Sequence, residues 1–334
     1  MANNEPFLWM GGVLATELVE IRHDFGALDE GGFWAVIAEF DGGVTCARFD
    51  RVVTGAEFPS QSQWQPLTGK WRSTLSKVEY LAYVESIRES ISLGDVYQVN
   101  ACRILEYRLE PDISLAPLFS TLIRENPAPH SCYLRLPDLE IASASPELFL
   151  RKRGSELLTS PIKGTRAPTN DSEPFSEKDR SENLMIVDLM RNDLNRVSAV
   201  GTVKVNDFLR HEAHPGLEHL VSDVTSTAAE YVKVSEIISE LLPPGSVSGA
   251  PKHSALKIIR ENEGVTRGPY CGAIGYVWDG DIHLNVGIRT FWKSGELLKF
   301  GTGAGITWGS DPTSEWAETE LKCDRLISLA GGLR

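Results

Sequence analysis

The sequence is poor in cysteine, and the few it has form no pattern. Its five, Cys46, Cys102, Cys132, Cys271 and Cys323, are scattered and odd in number, with no Cys-x-x-Cys pair. That excludes a disulfide framework and a thiolate zinc site and predicts reduced thiols. No run approaches the roughly 18 consecutive apolar residues of a membrane-spanning helix. Met1 to Pro6 lack the basic segment and apolar stretch of an export signal. No cluster of lysine and arginine breaks a formal net charge of −13, which argues against nucleic acid or an anionic membrane as partner. Gly245 to Lys252 is glycine-rich but lacks the spacing of a phosphate-binding loop. There is no internal repeat and no low-complexity tract. These absences together predict a cytoplasmic protein with no membrane and no nucleic-acid partner.

What is present is ordinary for a globular enzyme: 334 residues, 42% hydrophobic and 24% charged. Residues 1 to about 60 read as short strands, including Phe33 to Phe40, turned at Asp41-Gly42-Gly43 into Val44 to Val53. Pro59 to Gln65 reads as a connection. A helix is expected from Ser76, with Val78, Leu81, Val84, Ile87 and Ile91 on its buried face and Gly94 as its stop. A strand from Val96 to Leu105, a helix at Ala116 to Arg124, and helices at Asp171 to Arg196 and Val234 to Leu242 follow. Near the C-terminus, Tyr270 to Trp278 reads as a strand and Asp279-Gly280 as a two-residue hairpin turn. Ile282, Leu284, Val286 and Ile288 then alternate with His283, Asn285, Gly287 and Arg289. Helices and antiparallel hairpins interleave without a βαβ rhythm, so the fold class is α+β. The expected division is a shortened N-terminal β segment, 1–72, and a catalytic domain, 73–334.

Several residues are candidates for chemistry. Lys163, between Pro161 and Gly164, reads as a nucleophilic amine in a turn, with Glu147 on an adjacent apolar strand (Ile141 to Leu150) as its acid/base partner. Taken alone, such a Lys-Gly pair reads first as a solvated turn. Asp179 and Glu182 share a helix face, as do Glu315 and Glu318, with Lys322 one turn further on. Each pair alone reads as a solvated face; if the two converge, four carboxylates suit Mg²⁺. Arg289 is either a solvated strand residue or a fork for a carboxylate. Gly301 to Gly305 reads as a glycine-rich turn whose amides can cradle an anion. His219, in an apolar setting, reads as a satisfied core histidine.

These pieces occur in one order. The strings are Gly94-Asp95-Val96-Tyr97-Gln98, Ser145-Pro146-Glu147, Pro161-Ile162-Lys163-Gly164-Thr165, Asp179 through Asp193, Gly249-Ala250-Pro251-Lys252, Tyr270 through Tyr276, Ile288-Arg289-Thr290, Gly303-Ala304-Gly305 and Glu315 through Lys322. In this the chain resembles the chorismate-utilising enzymes over residues 76 to 330, and among them most the branch that forms aminodeoxychorismate. Lys163 and Asn183 match that branch, where anthranilate synthases carry alanine and histidine. Gln98 stands where isochorismate and salicylate synthases have a water-activating lysine.

The resemblance implies a chorismate-binding fold of large antiparallel sheets with surrounding helices. It also implies amination of chorismate at C4 through a covalent Lys163 intermediate, with Glu147 as acid/base and His219 in the active site. Mg²⁺ is expected on Glu182 and Glu318, with Asp179 and Glu315 close behind. Gly164 and Thr165 are expected to line the ring pocket, and Tyr270, Arg289, Gly303, Ala304, Gly305 and Lys322 to bind substrate carboxylates. Ammonia is expected from a separate glutamine amidotransferase subunit. The alternatives are an anthranilate synthase component, another chorismate aminase, or a non-catalytic chorismate-binding protein. Relatives carry a longer N-terminal portion with a Leu-Leu-Glu-Ser string that is absent here, so the resemblance does not extend to tryptophan binding.

Overall fold

A computed structural model describes residues 5–59, 62–110, 112–166, 177–214 and 217–334. Among them, pairing joins 18 strands into one continuous antiparallel system. The α+β expectation is borne out. Its longest ladder sets Gln98–Arg108 against Leu297–Ile306, in register from Val99↔Ile306 to Arg108↔Leu297. The N-terminal strands enter the same system. Phe33–Ala38 pairs with Ala273–Trp278, and Phe7–Met10 with Cys132–Arg135. One parallel pair, Leu67–Lys70 with Gly331–Leu333, stands apart.

The predicted hairpin forms where the sequence places it. Asp279 and Gly280 both have positive φ, 45° and 87°, the conformation a two-residue Asp-Gly turn needs to match strand twist. Asn285, expected on a polar face, is instead fully buried. Its strand, Asp281–Val286, has neighbours on both edges and is covered on both faces.

Helix α1 (Lys77–Ser92) starts at Ser76 through a reciprocal capping box. Ser76 Oγ accepts from the Glu79 amide at 3.3 Å, and Glu79 Oε2 accepts from the Ser76 amide at 2.8 Å. Its buried face keeps Val84 and Ile87, as the aliphatic spacing predicts, but at its start takes in tyrosines rather than Val78. Tyr80, Tyr83, Val84 and Ile87 are buried, whereas Val78 is 78% exposed. The two tyrosine rings outweigh one valine in apolar area, and their hydroxyls find acceptors in Ala101 O and Glu263. Helices α2 (Ala116–Glu125), α3 (Glu177–Asn195), α4 (Val234–Leu241), α5 (Lys252–Glu263) and α6 (Pro312–Ala330) follow. Residues 171–176 of the predicted third helix lie outside the described residues.

Apolar side chains gather into two cores. One holds Trp34, Phe49, Ile87 and Leu284; the other holds Phe119, Tyr133, Phe291 and Leu326. No described helix is long and apolar enough to cross a membrane. Removing the cap with Ser76→Ala should lower stability by about 1 kcal/mol. The denaturation midpoint reads this directly, and an unchanged midpoint would show that the cap contributes nothing.

Candidate active site

Three candidate residues lie where regular structure breaks, against the sequence expectation in each case. Lys163 is not in a turn but on the strand Ile162–Arg166, paired with Leu220. The register slips between Lys163 and Thr165, and Gly164 takes φ +74°, so a bulge re-aims the lysine. The expected strand from Ile141 to Leu150 is split into Glu140–Ser143 and Leu148–Arg153. Pro146 cannot donate to a ladder, and Glu147 in the gap is 3% exposed. Arg289 is not on a strand. It follows the end of one at Val286 with φ +50°, a left-handed backbone that a non-glycine residue keeps only under constraint. The Ala144 amide donates to its carbonyl at 3.0 Å.

A cavity of about 460 Å³ collects them. Lys163, Gly164, Glu147, His219 and Arg289 line it, and Arg289 Nη2 lies 3.1 Å from His219 Nε2. The buried His219 therefore faces the cavity's arginine rather than an apolar core alone. Tyr270, in the turn before the strand that starts at Ala273, lines it as well.

Gly301 to Gly305 is not a turn but the middle of the Leu297–Ile306 strand. The Cys102 amide opposite Gly303 donates to Glu263 Oε1 at 3.0 Å, and the Gly303 carbonyl accepts from Lys322 Nζ at 3.1 Å. Antiparallel partners exchange both ladder bonds or neither, so the Gly303 backbone edge faces away from its partner strand, towards the cavity. Gly301 and Gly305 also line the cavity, whereas Ala304 is fully buried in the core and does not. Their missing side chains allow close approach. A Cβ at Gly301 would lie 2.1 Å from Tyr270 Cγ, and one at Gly305 would lie 2.3 Å from Gln98 Nε2 and 3.6 Å from Lys163 Nζ. The Gln98 amide is 1% exposed and has no hydrogen-bond partner among the described residues.

The acidic pairs converge in part. Glu182 from α3 and Glu318 from α6 line the same cavity, with Lys322 paired to Glu318 at 2.6 Å. Glu315, one turn earlier on α6, is 3% exposed and does not line it, because the helix turns that position into the protein. The side chains of Asp179 and Thr165 lie outside the described residues. Among the described residues no three His, Cys, Asp or Glu side chains form a self-sufficient metal cage. Two carboxylates facing one cavity do fit Mg²⁺, which keeps waters and completes its shell with an anionic ligand.

Burial sets the proton affinities. It pulls the Lys163 amine below its usual range, opposed by Glu182 and reinforced by Lys322, with Glu147 and Glu318 opposing further. Burial pushes Glu147 up to about 7, against a hydrogen bond from Ser246, the charge of Lys163, the Ile162 amide and Arg289. Burial also lowers Arg289 to about 10, which leaves it charged at neutral pH. Lys322 goes the other way: Glu318, with Glu315 and Glu182 behind it, outweighs desolvation and raises it.

Sequence reasoning missed Asn100, Ser246 and Thr302, which also line the cavity. Ser246 follows Pro243-Pro244-Gly245, a helix stop whose role in turning the chain back to Glu147 is invisible without the fold. A second groove of about 380 Å³, around Arg151, Tyr276 and His283, contains none of the predicted site residues.

The acid at 147 has a pH signature. Its folded value, about 7, exceeds the ordinary 4.5, so its contribution to stability is fully present below about pH 4.5 and lost as pH rises to about 7. Relative to wild type, Glu147→Gln should therefore gain on the order of 3 kcal/mol across that window. A difference between the two proteins that stays flat with pH, by urea unfolding, would refute a raised Glu147.

Comparison with known proteins identifies the family and the fold. The family model for chorismate binding enzymes matches residues 42–328. The aminodeoxychorismate synthase component 1 of Salmonella typhimurium is 36% identical over 83% of this chain, and the anthranilate synthase component 1 of Saccharolobus solfataricus is 38% identical over 77%. The chain spans 63% of the length of each. The menaquinone-specific isochorismate synthase of Escherichia coli shares the fold, with a TM-score of 0.83 at 18% identity, over 98% of this chain and 89% of that one. On the match over residues 42–328, the chain belongs to the family of chorismate binding enzymes.

Proposed function

We propose that the chain aminates chorismate at C4 to give 4-amino-4-deoxychorismate, the reaction named by its aminodeoxychorismate synthase relatives. One observation carries the reading: a lysine whose amine is held below its usual proton affinity shares one cavity with a carboxyl held near neutrality. A binding-only protein has no use for that pair.

Unprotonated Lys163 attacks C2 of chorismate, the ring double bond shifts, and the C4–O bond breaks. Glu147, protonated near neutral pH, gives its proton to the departing hydroxyl, which leaves as water. Ammonia then adds at C4, the double bond shifts back and the C2–N bond to Lys163 breaks. Across the cycle chorismate and ammonia give aminodeoxychorismate and water. Arg289 and Tyr270, with the Gly303 backbone edge, hold the enolpyruvyl carboxylate. Glu182 and Glu318 would hold Mg²⁺, which supplies positive charge to the ring carboxylate. Gln98, a neutral amide against Gly305, offers no base to activate water, which favours ammonia as nucleophile. The ammonia comes from a separate glutamine amidotransferase subunit, and the product leads towards para-aminobenzoate and folate in the cytoplasm.

A second reading, anthranilate synthesis, is kept alive by the 38% identity to the Saccharolobus protein; Lys163 speaks against it. The deciding experiment incubates the protein with chorismate, Mg²⁺ and excess ammonium, followed by mass spectrometry and a pyruvate assay. An aminated product that keeps its enolpyruvyl group, with no pyruvate, is expected; anthranilate with stoichiometric pyruvate would overturn the proposal.

Two variants separate the roles. Lys163→Ala should abolish C4 amination while chorismate still binds, and unchanged amination would remove the lysine from the mechanism. Glu182→Gln should shift the Mg²⁺ dependence of turnover to higher concentration, and a wild-type dependence would exclude it as a ligand.

A further inference from the structure

Outside the cavity, Arg267 is the largest buried charge the reading above does not use. It is 1% exposed, and its partner Glu263, the last residue of α5, is 5% exposed. Arg267 Nε and Nη2 donate to the two Glu263 oxygens at 2.7 and 2.5 Å. The guanidinium face stacks 4.2 Å from the centre of the Phe40 ring. A buried pair of this kind is weak evidence of a gain in stability, because desolvating both charges offsets most of their attraction.

The remaining donors have particular targets. Nη2 also donates to Asn100 O at 2.6 Å, and Nη1 to Val247 O at 3.2 Å. The Arg267 carbonyl accepts from the Tyr270 amide at 3.2 Å. Asn100, Val247 and Tyr270 come from three separate segments of the chain, and all three line the cavity. Glu263 extends the grip by accepting from the Cys102 amide, opposite Gly303.

We propose that Arg267, oriented by Glu263, is a positioning residue that fixes one wall of the cavity by fastening Asn100 and Val247 to one rigid planar group, next to the backbone turn that carries Tyr270. A lysine cannot replace it, since a single ammonium on a flexible stem lacks the fork that reaches two carbonyls and a carboxylate together. The link to substrate rests on the reading of this cavity as a chorismate site; the link to the wall does not.

The test uses Arg267→Lys and the double variant Arg267→Met with Glu263→Gln, which removes both charges and leaves neither buried alone. Chorismate KM should rise about tenfold in the double variant, with kcat changed much less. Hydrogen exchange read by mass spectrometry should quicken in segments 98–103 and 245–249, while the 44–53 strand keeps its protection. Arg267→Lys should show the same local pattern more weakly, and it decides the matter if the double variant does not fold. Exchange unchanged in the two segments, or raised uniformly along the chain, would overturn the proposal, as would an unchanged KM. If wild type does not turn over chorismate, the functional reading fails by itself and exchange still decides whether Arg267 holds the wall.

Discussion

The ladder between Gln98–Arg108 and Leu297–Ile306 is the constraint on which the rest of the architecture depends. Its outer half is ordinary core, with Leu105 against Phe300. Its inner half has glycine at 301, 303 and 305, all lining the cavity, and the absent side chains let Tyr270, Cys102 and Gln98 pack closely against it. Helix α6 packs on the same strand and brings Glu318 and Lys322 to the rim. A strand that were apolar throughout would fill this space with its own side chains. Gly303 and Gly305 line the cavity, while Ala304 between them fills the core.

Desolvation gives the site its chemical character, and neighbouring carboxylates decide how each amine responds to it. Lys163 and Lys322 line one cavity, yet their proton affinities move in opposite directions. Lys322 bonds directly to Glu318 at 2.6 Å and remains an ammonium. At Lys163 the carboxylates only partly offset burial, and Lys322 adds its own repulsion. Glu147 is displaced the other way by the same burial. Burial thus moves the amine and the carboxyl of one cavity in opposite directions, each away from its charged form. Arg289 lines the same cavity and stays charged at neutral pH.

Much of this was legible in the amino acids. The Asp-Gly hairpin, the Ser76 start of α1, the α+β class and the order of the motifs follow from local rules: turn residues select turn types, caps satisfy free amides, and period-two alternation marks strands. Failures occurred where a residue's neighbours come from elsewhere in the chain. Arg289 alternates as a strand residue would, yet its backbone turns left-handed and hydrogen-bonds to Ala144. Glu315 and Glu318 have one helical spacing between them, but only Glu318 reaches the cavity. Gly301 to Gly305 has the composition of a turn and the pairing of a strand. By itself, then, the sequence determined the fold class, the caps and tight turns and which residue types are available for chemistry, because those depend on composition and on interactions within a few residues. Which carboxylate lies near Lys163, which way burial moves its proton affinity, and which backbone edge faces the cavity were decided only by tertiary structure, because electrostatics and packing act through space.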